Sequence, residues 1–407
     1  MNARALRFPL FDSLRAIAVL LVISYHALGA EFPPGSPATM RPYAAQMGVG
    51  VSIFFVISGF LLYRPFVANR LAGGNWIPIP AYAWRRFLRI FPGYWAALTV
   101  VALWLGYDGV LTLSGIPHYY LLGQVFSIKT LFGGLPQAWS LTVEVGFYIF
   151  LPLYALLLGV GRRRDRRSQL RVEWIAVIAL FAAGVLFNVI LLSRLGPGEY
   201  SPLLRTFPTF ADHFAAGMLL AVASASLQAA ERLPRLLRPL DRFPGIAWGL
   251  AVVAFWAVST RIGLHGSAGE VVSHSQFLER RTLYVVVAVA VVLPGVFGNQ
   301  DRGLVRKLLA NRFMLYLGLV SYGLFLYHVA VLQQLGRWDL GLLSGIHPYL
   351  RVVDVLVPSL VLASLSYYLV ERPALRLKRL VGPRVEPAPA EATAEPAPAE
   401  PLTVYPR

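Results

Sequence analysis

Arg15, His26 and Glu144 are ionisable residues set inside long apolar runs of the sequence. A charge in such a place costs at least about 2.5 to 3.5 kcal/mol on insertion scales, so it is kept where it faces a cavity or a partner. Arg15 and His26 are about three helical turns apart, about 16 Å, which sets both on one face of one helix. An imidazole can accept and return a proton near neutral pH, a carboxylate can orient it, and guanidinium groups hold anions. Arg85, Arg86 and Arg89 form a compact basic group of the kind that grips phosphate, just ahead of the third apolar run. A molecule anchored there by its phosphates would need an arm of about 20 Å to reach the level of His26.

The elements that must position these groups follow from composition. The chain has 407 residues, 57% hydrophobic and 14% charged, with a mean hydropathy of +0.60, which describes a polytopic membrane protein. The expected fold is all-α, a membrane helix bundle of about ten transmembrane helices. The spans are read near 12–30, 47–67, 91–108, 137–158, 172–192, 209–225, 245–260, 281–298, 313–334 and 350–370. With the N and C termini cytoplasmic, about 28 of the 37 basic residues fall on the cytoplasmic side, as the positive-inside rule requires. The net charge of +17 is therefore mostly topology and contact with anionic lipid, and no nucleic-acid partner is expected. Residues 1–380 read as one membrane domain, and 381–407, rich in Pro, Ala and Glu, as a disordered cytoplasmic tail. No cleavable leader is expected, because the first apolar run is long enough to span. The absence of cysteine excludes disulfides and thiol chemistry, and no histidine spacing suggests a metal site.

Counting about 1.5 Å per residue places His26, Glu144 and His328 each about 20 to 22 Å from the cytoplasmic face, with Arg15 far below them. His328 reads equally as a hydrogen-bonded helix contact, and Glu144 as a structural partner of a buried Arg or His. Asp12, three residues from Arg15, pairs with it or caps the helix start. Ser58, next to Gly59, is a nucleophile only in principle; Ser-Gly in an apolar helix more often marks close packing. Asp212 and His213 stand near the outer start of the sixth span.

The segments that carry these groups resemble the ordered motifs of the acyltransferase 3 family. They are DSLRAIAVLLVISYH (residues 12–26), GVSIFFVISGFLL (50–62), RRFLRIFPGY (85–94), WSLTVEVGFY (139–148), SYGLFLYH (321–328) and ERP (371–373). The resemblance implies an integral-membrane enzyme, expected in the plasma (inner) membrane, that O-acylates sugars and related hydroxyl compounds of the cell envelope. No bound cofactor is implied. The implied donor is acyl-coenzyme A, chiefly acetyl-coenzyme A, on the cytoplasmic side; the acceptor is a sugar or glycan hydroxyl at the outer face. Arg15 and His26 match the family's basic residue and histidine, Glu144 its Trp-Ser-Leu-x-x-Glu acid, and Arg85, Arg86 and Arg89 its basic motif. Ser58 with its following Gly-Phe matches a further motif, and Phe325 stands where the family often has Tyr. Some longer relatives append a soluble hydrolase-like domain that this sequence lacks, so the acceptor is expected to meet the membrane domain itself or a separate partner.

Residues and resemblance together suggest a scheme. Donor phosphates bind at Arg85, Arg86 and Arg89, the pantetheine arm passes Arg15, and His26 acts as general base or as acyl carrier. Glu144, or Asp12, orients the imidazole. Tyr148 and Tyr327, with Tyr25 and Trp139, are candidates to line a sugar cavity, and Asp212 and His213 stand at the acceptor's entrance. The competing class is a transporter or flippase of a small anion or glycan that uses the buried Arg, His and Glu as a relay.

Overall fold

A computed structural model describes residues 8–29, 40–74, 77–159, 165–196, 199, 201–227, 234, 238–264, 271–298, 303–341, 343–344 and 347–381. The tail from residue 382 onward lies outside the described residues, as do Arg162, Arg163, Arg164, Arg232 and Arg235 of the basic loops. Among the described residues the chain is helical, with no strand. Its longer helices are α1 (Phe11–Gly29), α2 (Val49–Leu71), α3 (Ile79–Leu105), α4 (Trp139–Gly159), α5 (Arg166–Leu192) and α6 (Phe207–Ser226). They continue as α7 (Gly245–Thr260), α8 (His274–Val296), α9 (Arg312–Leu319), α10 (Ser321–Arg337) and α11 (Arg351–Ser366), which runs into a π-helical turn over Tyr367–Glu371.

Local chemistry sets several boundaries. The Asp165 carboxylate accepts hydrogen bonds from the backbone N–H groups of Arg167 and Ser168 and starts α5. Ser273 and Gln276 form a reciprocal capping box on α8. Gly106, at φ +70°, closes α3 in the left-handed conformation that a side chain disfavours.

All ten expected spans are met by helices. Six described helices are both long and apolar enough to cross a membrane, or seven if α9 and α10 count as one bent span. The sixth to eighth expected spans fall short of that standard for separate reasons. α6 carries Asp212 and His213, α7 has 16 residues, and α8 carries Glu279, Arg280 and Arg281 in its first half.

Two expected spans differ in form. α3 begins at Ile79, so Arg85, Arg86 and Arg89 lie within a helix of 27 residues instead of in a loop before it. At about 40 Å this helix is longer than the hydrocarbon layer, and its basic first turns can project from it. The ninth expected span is broken at Val320, where α9 and α10 meet at 72°. A Cβ on Gly318 would collide with the backbone carbonyl of Asp12, so glycine lets α9 cross the start of α1 at backbone contact. The Ser321 hydroxyl bonds the Gly318 carbonyl at 2.8 Å and secures the corner.

The bundle has two packed halves. In one, α2, α4, α6 and α8 share a core in which Phe147 stacks on Phe214 at 4.2 Å and Phe214 on Phe55 at 4.8 Å. In the other, α1, α3, α10 and α11 pack around Ile23, Tyr94, Leu98 and Leu324. α2 and α6 touch through glycines: a Cβ on Gly59 would meet the Phe214 carbonyl, and one on Gly217 the Val56 carbonyl. Large apolar side chains face outward on α5 (Ile175, Ile178, Leu186), α7 (Val252, Val253) and α11 (Val357, Val361), as expected where lipid is the solvent.

Candidate active site

Polar side chains gather where the two halves meet, around two cavities. The first, of about 230 Å³, is lined by Arg15 of α1, Ser58 of α2, Arg86 and Arg89 of α3, Glu144 and Tyr148 of α4, and Tyr322 of α10. Arg86 and Arg89 are one helical turn apart and so share a face. Arg85 does not line the cavity, which reduces the expected arginine triplet to a pair joined by Arg15. Ser58 Oγ donates to Glu144 Oε1 at 2.9 Å and Tyr148 Oη to the same oxygen at 2.6 Å. The Arg86 guanidinium lies 5.8 Å from the ring centroids of both Tyr82 and Tyr148, and its buried Nε has no hydrogen-bond partner. Arg89 is 3.8 Å from the Glu371 carboxylate, whose two oxygens are otherwise without a hydrogen bond. Three guanidinium groups against one lining carboxylate make this cavity a site for an anion.

The second cavity, of about 370 Å³, is lined by His26, Gln137, Trp139, His213, Arg280 and Arg281 among others. Val51 and Phe325 line both cavities and form the wall between them. His328, fully buried on α10, lines neither cavity and packs against His26 from behind.

The hydrogen bonds of this histidine pair fix its tautomers. His328 Nδ1 lies 3.1 Å from the Leu324 carbonyl, which can only accept, so Nδ1 carries the hydrogen and Nε2 the lone pair. That lone pair is 3.2 Å from His26 Nδ1, which is also 2.9 Å from the Val22 carbonyl. His26 Nδ1 therefore carries a hydrogen shared between two acceptors, and His26 Nε2 is left as the free base on a side chain that lines the second cavity. A hydrogen on His328 Nε2 as well would set two hydrogens against each other, so His328 Nε2 serves as the acceptor in this contact.

Beside them, Arg281 donates to Asp212 Oδ1 at 2.6 Å and to the Thr209 carbonyl, while His213 Nδ1 is 2.9 Å from the same Asp212 oxygen. Gln137 donates from Nε2 to the Leu326 carbonyl at 2.8 Å, and its buried Oε1 has no partner.

The expected residues are thus divided. Arg15, Arg86, Arg89, Ser58, Glu144 and Tyr148 meet on the first cavity; His26 and His213 meet on the second, with Asp212 behind His213. Glu144 and Asp12 do not hold the His26 ring: Glu144 is taken by Ser58 and Tyr148, and Asp12 pairs with Arg15 at 2.8 Å. Equal depth brought His328, not Glu144, into contact with His26, because depth along a helix carries no information about azimuth. Tyr327 is buried in the α1–α3–α10 core and lines neither cavity. Sequence reasoning passed over Gln137, Arg280, Arg281, Tyr322 and Glu371. Glu371 stood inside the quoted ERP segment, and Arg280 and Arg281 stood at a span boundary where basic residues are ordinary.

Comparison with known proteins agrees with the motifs. No solved structure matches the chain. Nodulation protein 10 of Rhizobium leguminosarum bv. viciae is 27% identical, over 81% of this chain and 82% of its own length. A protein named as an O-acetyltransferase in Staphylococcus aureus is 22% identical over 90% of this chain and 57% of its own length. One named as a peptidoglycan O-acetyltransferase in Bacillus subtilis is 25% identical over 90% of this chain and 54% of its own length. The chain thus spans little more than half the length of those two relatives. A family model described as an acyltransferase domain matches residues 9–368, nearly all of the helical bundle, and the chain belongs to the acyltransferase 3 family, enzymes of the membrane that move acyl groups.

Proposed function

We propose that this membrane enzyme transfers a short acyl group, chiefly acetyl, from acyl-coenzyme A to a hydroxyl of a sugar or glycan in the cell envelope. In this reading residues 1–380 form one multi-pass domain of the plasma membrane, with the Arg15 end of α1 toward the cytoplasm. The arginines of the first cavity receive the donor's phosphates, and the wall at Val51 and Phe325 receives the thioester. The acceptor enters the second cavity. As its hydroxyl oxygen bonds to the carbonyl carbon, the hydroxyl proton passes to His26 Nε2, the carbon–sulfur bond breaks, and the imidazolium returns that proton to the coenzyme A thiolate. His328 holds the His26 tautomer and spreads the positive charge that forms. The names of the Staphylococcus and Bacillus relatives support O-acetyl transfer and, for the latter, a glycan acceptor.

The observation that carries the reading is His26 itself: a base with its proton-bearing nitrogen occupied from behind, one wall away from a cavity rich in arginine. That wall also favours a second form of the mechanism. His26 Nε2 would bond to the thioester carbon as the carbon–sulfur bond breaks, and the released coenzyme A thiolate takes a proton from water on its own side. A hydroxyl arriving from the other side then bonds to the acyl carbon, the carbon–nitrogen bond breaks, and the hydroxyl proton passes to water in the second cavity. A transport relay is disfavoured, since Arg15 and Glu144 are separated from His26 by Val51 and Phe325.

The test is release of coenzyme A from radiolabelled acetyl-coenzyme A by the purified protein in detergent, wild type beside His26→Ala. The variant is expected to lose at least about a hundredfold, the scale of a lost general base, in either form. A fully active His26→Ala protein of normal abundance would contradict both.

A further inference from the structure

Resting on the reading of the second cavity as the acceptor site, we propose that the acceptor is anionic, and that Arg280 binds its carboxylate or phosphate while Gln137 Oε1 accepts a hydrogen bond from one of its hydroxyls.

Two independent features of the cavity carry this. The first is charge. Arg205, Arg280 and Arg281 all line the cavity, and no lining residue is acidic. Arg281 is already committed to Asp212 at 2.6 Å. Arg280 has no carboxylate partner among the described residues, and its guanidinium lies 5.8 Å from the ring of Phe277, another lining residue. A cation lining a cavity walled in part by apolar side chains attracts an anion more strongly than it would in water, because screening there is weak.

The second feature is a hydrogen-bond vacancy of the protein itself. Gln137 is 3% exposed. Its Nε2 spends its hydrogens on the Phe325 and Leu326 carbonyls, at 3.3 and 2.8 Å, which fixes the amide's orientation and leaves Oε1 as a buried acceptor with no partner. A buried acceptor left unpaired is costly, and because Gln137 lines the cavity a small shift of that wall would let a ligand hydroxyl reach Oε1 and relieve it. His26, Gln137 and Arg280 thus offer a base for the reacting hydroxyl, an acceptor for a second hydroxyl and a cation for an acid group. Trp139, 5.5 Å from Phe210 between ring centroids, adds an aromatic face on the same cavity, suited to the C–H face of a pyranose. A neutral sugar leaves Arg280 unused; a uronic acid, a lactyl-bearing sugar or a sugar phosphate uses all of these groups.

Binding tests this without requiring turnover, so its failure is separate from failure of the transfer reading. Purified full-length protein in neutral detergent is titrated with cellobiose, cellobiuronic acid and cellobiose 6′-phosphate, followed by calorimetry, with Arg280→Gln, Arg280→Lys and Gln137→Leu as variants. Wild type is expected to bind one of the two anionic disaccharides at least about tenfold tighter than cellobiose. Arg280→Gln erases that preference, Arg280→Lys keeps part of it, and Gln137→Leu weakens all three ligands alike. The carboxylate and phosphate arms identify which acid is taken. Equal affinity for the three, no binding of either anion, or a preference that survives Arg280→Gln overturns the proposal. So does displacement of the bound anion by coenzyme A, which would assign Arg280 to the donor.

Discussion

At the scale of residues, the His26–His328 pair makes a demand that can be checked. A ring that only fills space behind His26 could be replaced by any side chain of similar size, whereas a hydrogen-bond acceptor for His26 Nδ1 could not. His328→Leu should therefore lower coenzyme A release by about ten- to a hundredfold, while His328→Asn, whose amide oxygen can still accept, should recover part of that loss. Equal loss in both variants would reduce His328 to packing. Phe325, on the wall between the cavities, belongs to the same scale. Phe325→Ala is expected to open the wall, admit water, and raise hydrolysis of the acyl donor relative to transfer, read as the ratio of free acid to acylated product. An unchanged ratio would count against the wall as the meeting point. Arg15, His26 and Glu144 were legible in the sequence because a charge in an apolar run stands out. Gln137 and Arg280 were not, since polar residues near a span's end look like any loop.

Between helices, α2 and α5 are tied by a buried ion pair whose members line neither cavity. Arg70 reaches the two Glu173 oxygens at 2.6 and 2.9 Å, Tyr63 donates to one at 2.5 Å, and Gln169 to the other at 2.9 Å. Glu173 is fully buried, and the two guanidinium bonds are bidentate. Removing one partner strands the other charge, so Glu173→Ala should cost about 3 to 5 kcal/mol, seen as a lower melting temperature in detergent and lower abundance. A variant as stable as wild type would show that water reaches this site. The order and identity of the helices were readable from hydropathy. The break at Val320 and the early start of α3 were not: an apolar run reports that a segment can be buried, but not that Gly318 must cross the Asp12 backbone. Nor does it report that a helix extends into its basic flank. The glycine contacts of α2 with α6 were half legible, as Ser58-Gly59 suggested close packing without naming the partner.

Taken whole, the molecule is two packed halves with polar groups between them and apolar faces outward; in the proposed reading a water-soluble donor and a glycan approach one histidine from opposite membrane faces. The distribution of basic residues suggested that sidedness in the sequence. The two cavities lie one at the Arg15 end of α1 and one at the His26 end, the arrangement on which the proposal rests. The most direct test uses the protein in sealed inside-out vesicles, with radiolabelled acetyl-coenzyme A added outside and the acceptor trapped within. Coenzyme A should be released outside and the acetylated acceptor recovered from the lumen, both lost in His26→Ala. Acetylated product formed only when donor and acceptor share one side would contradict transfer through the two cavities.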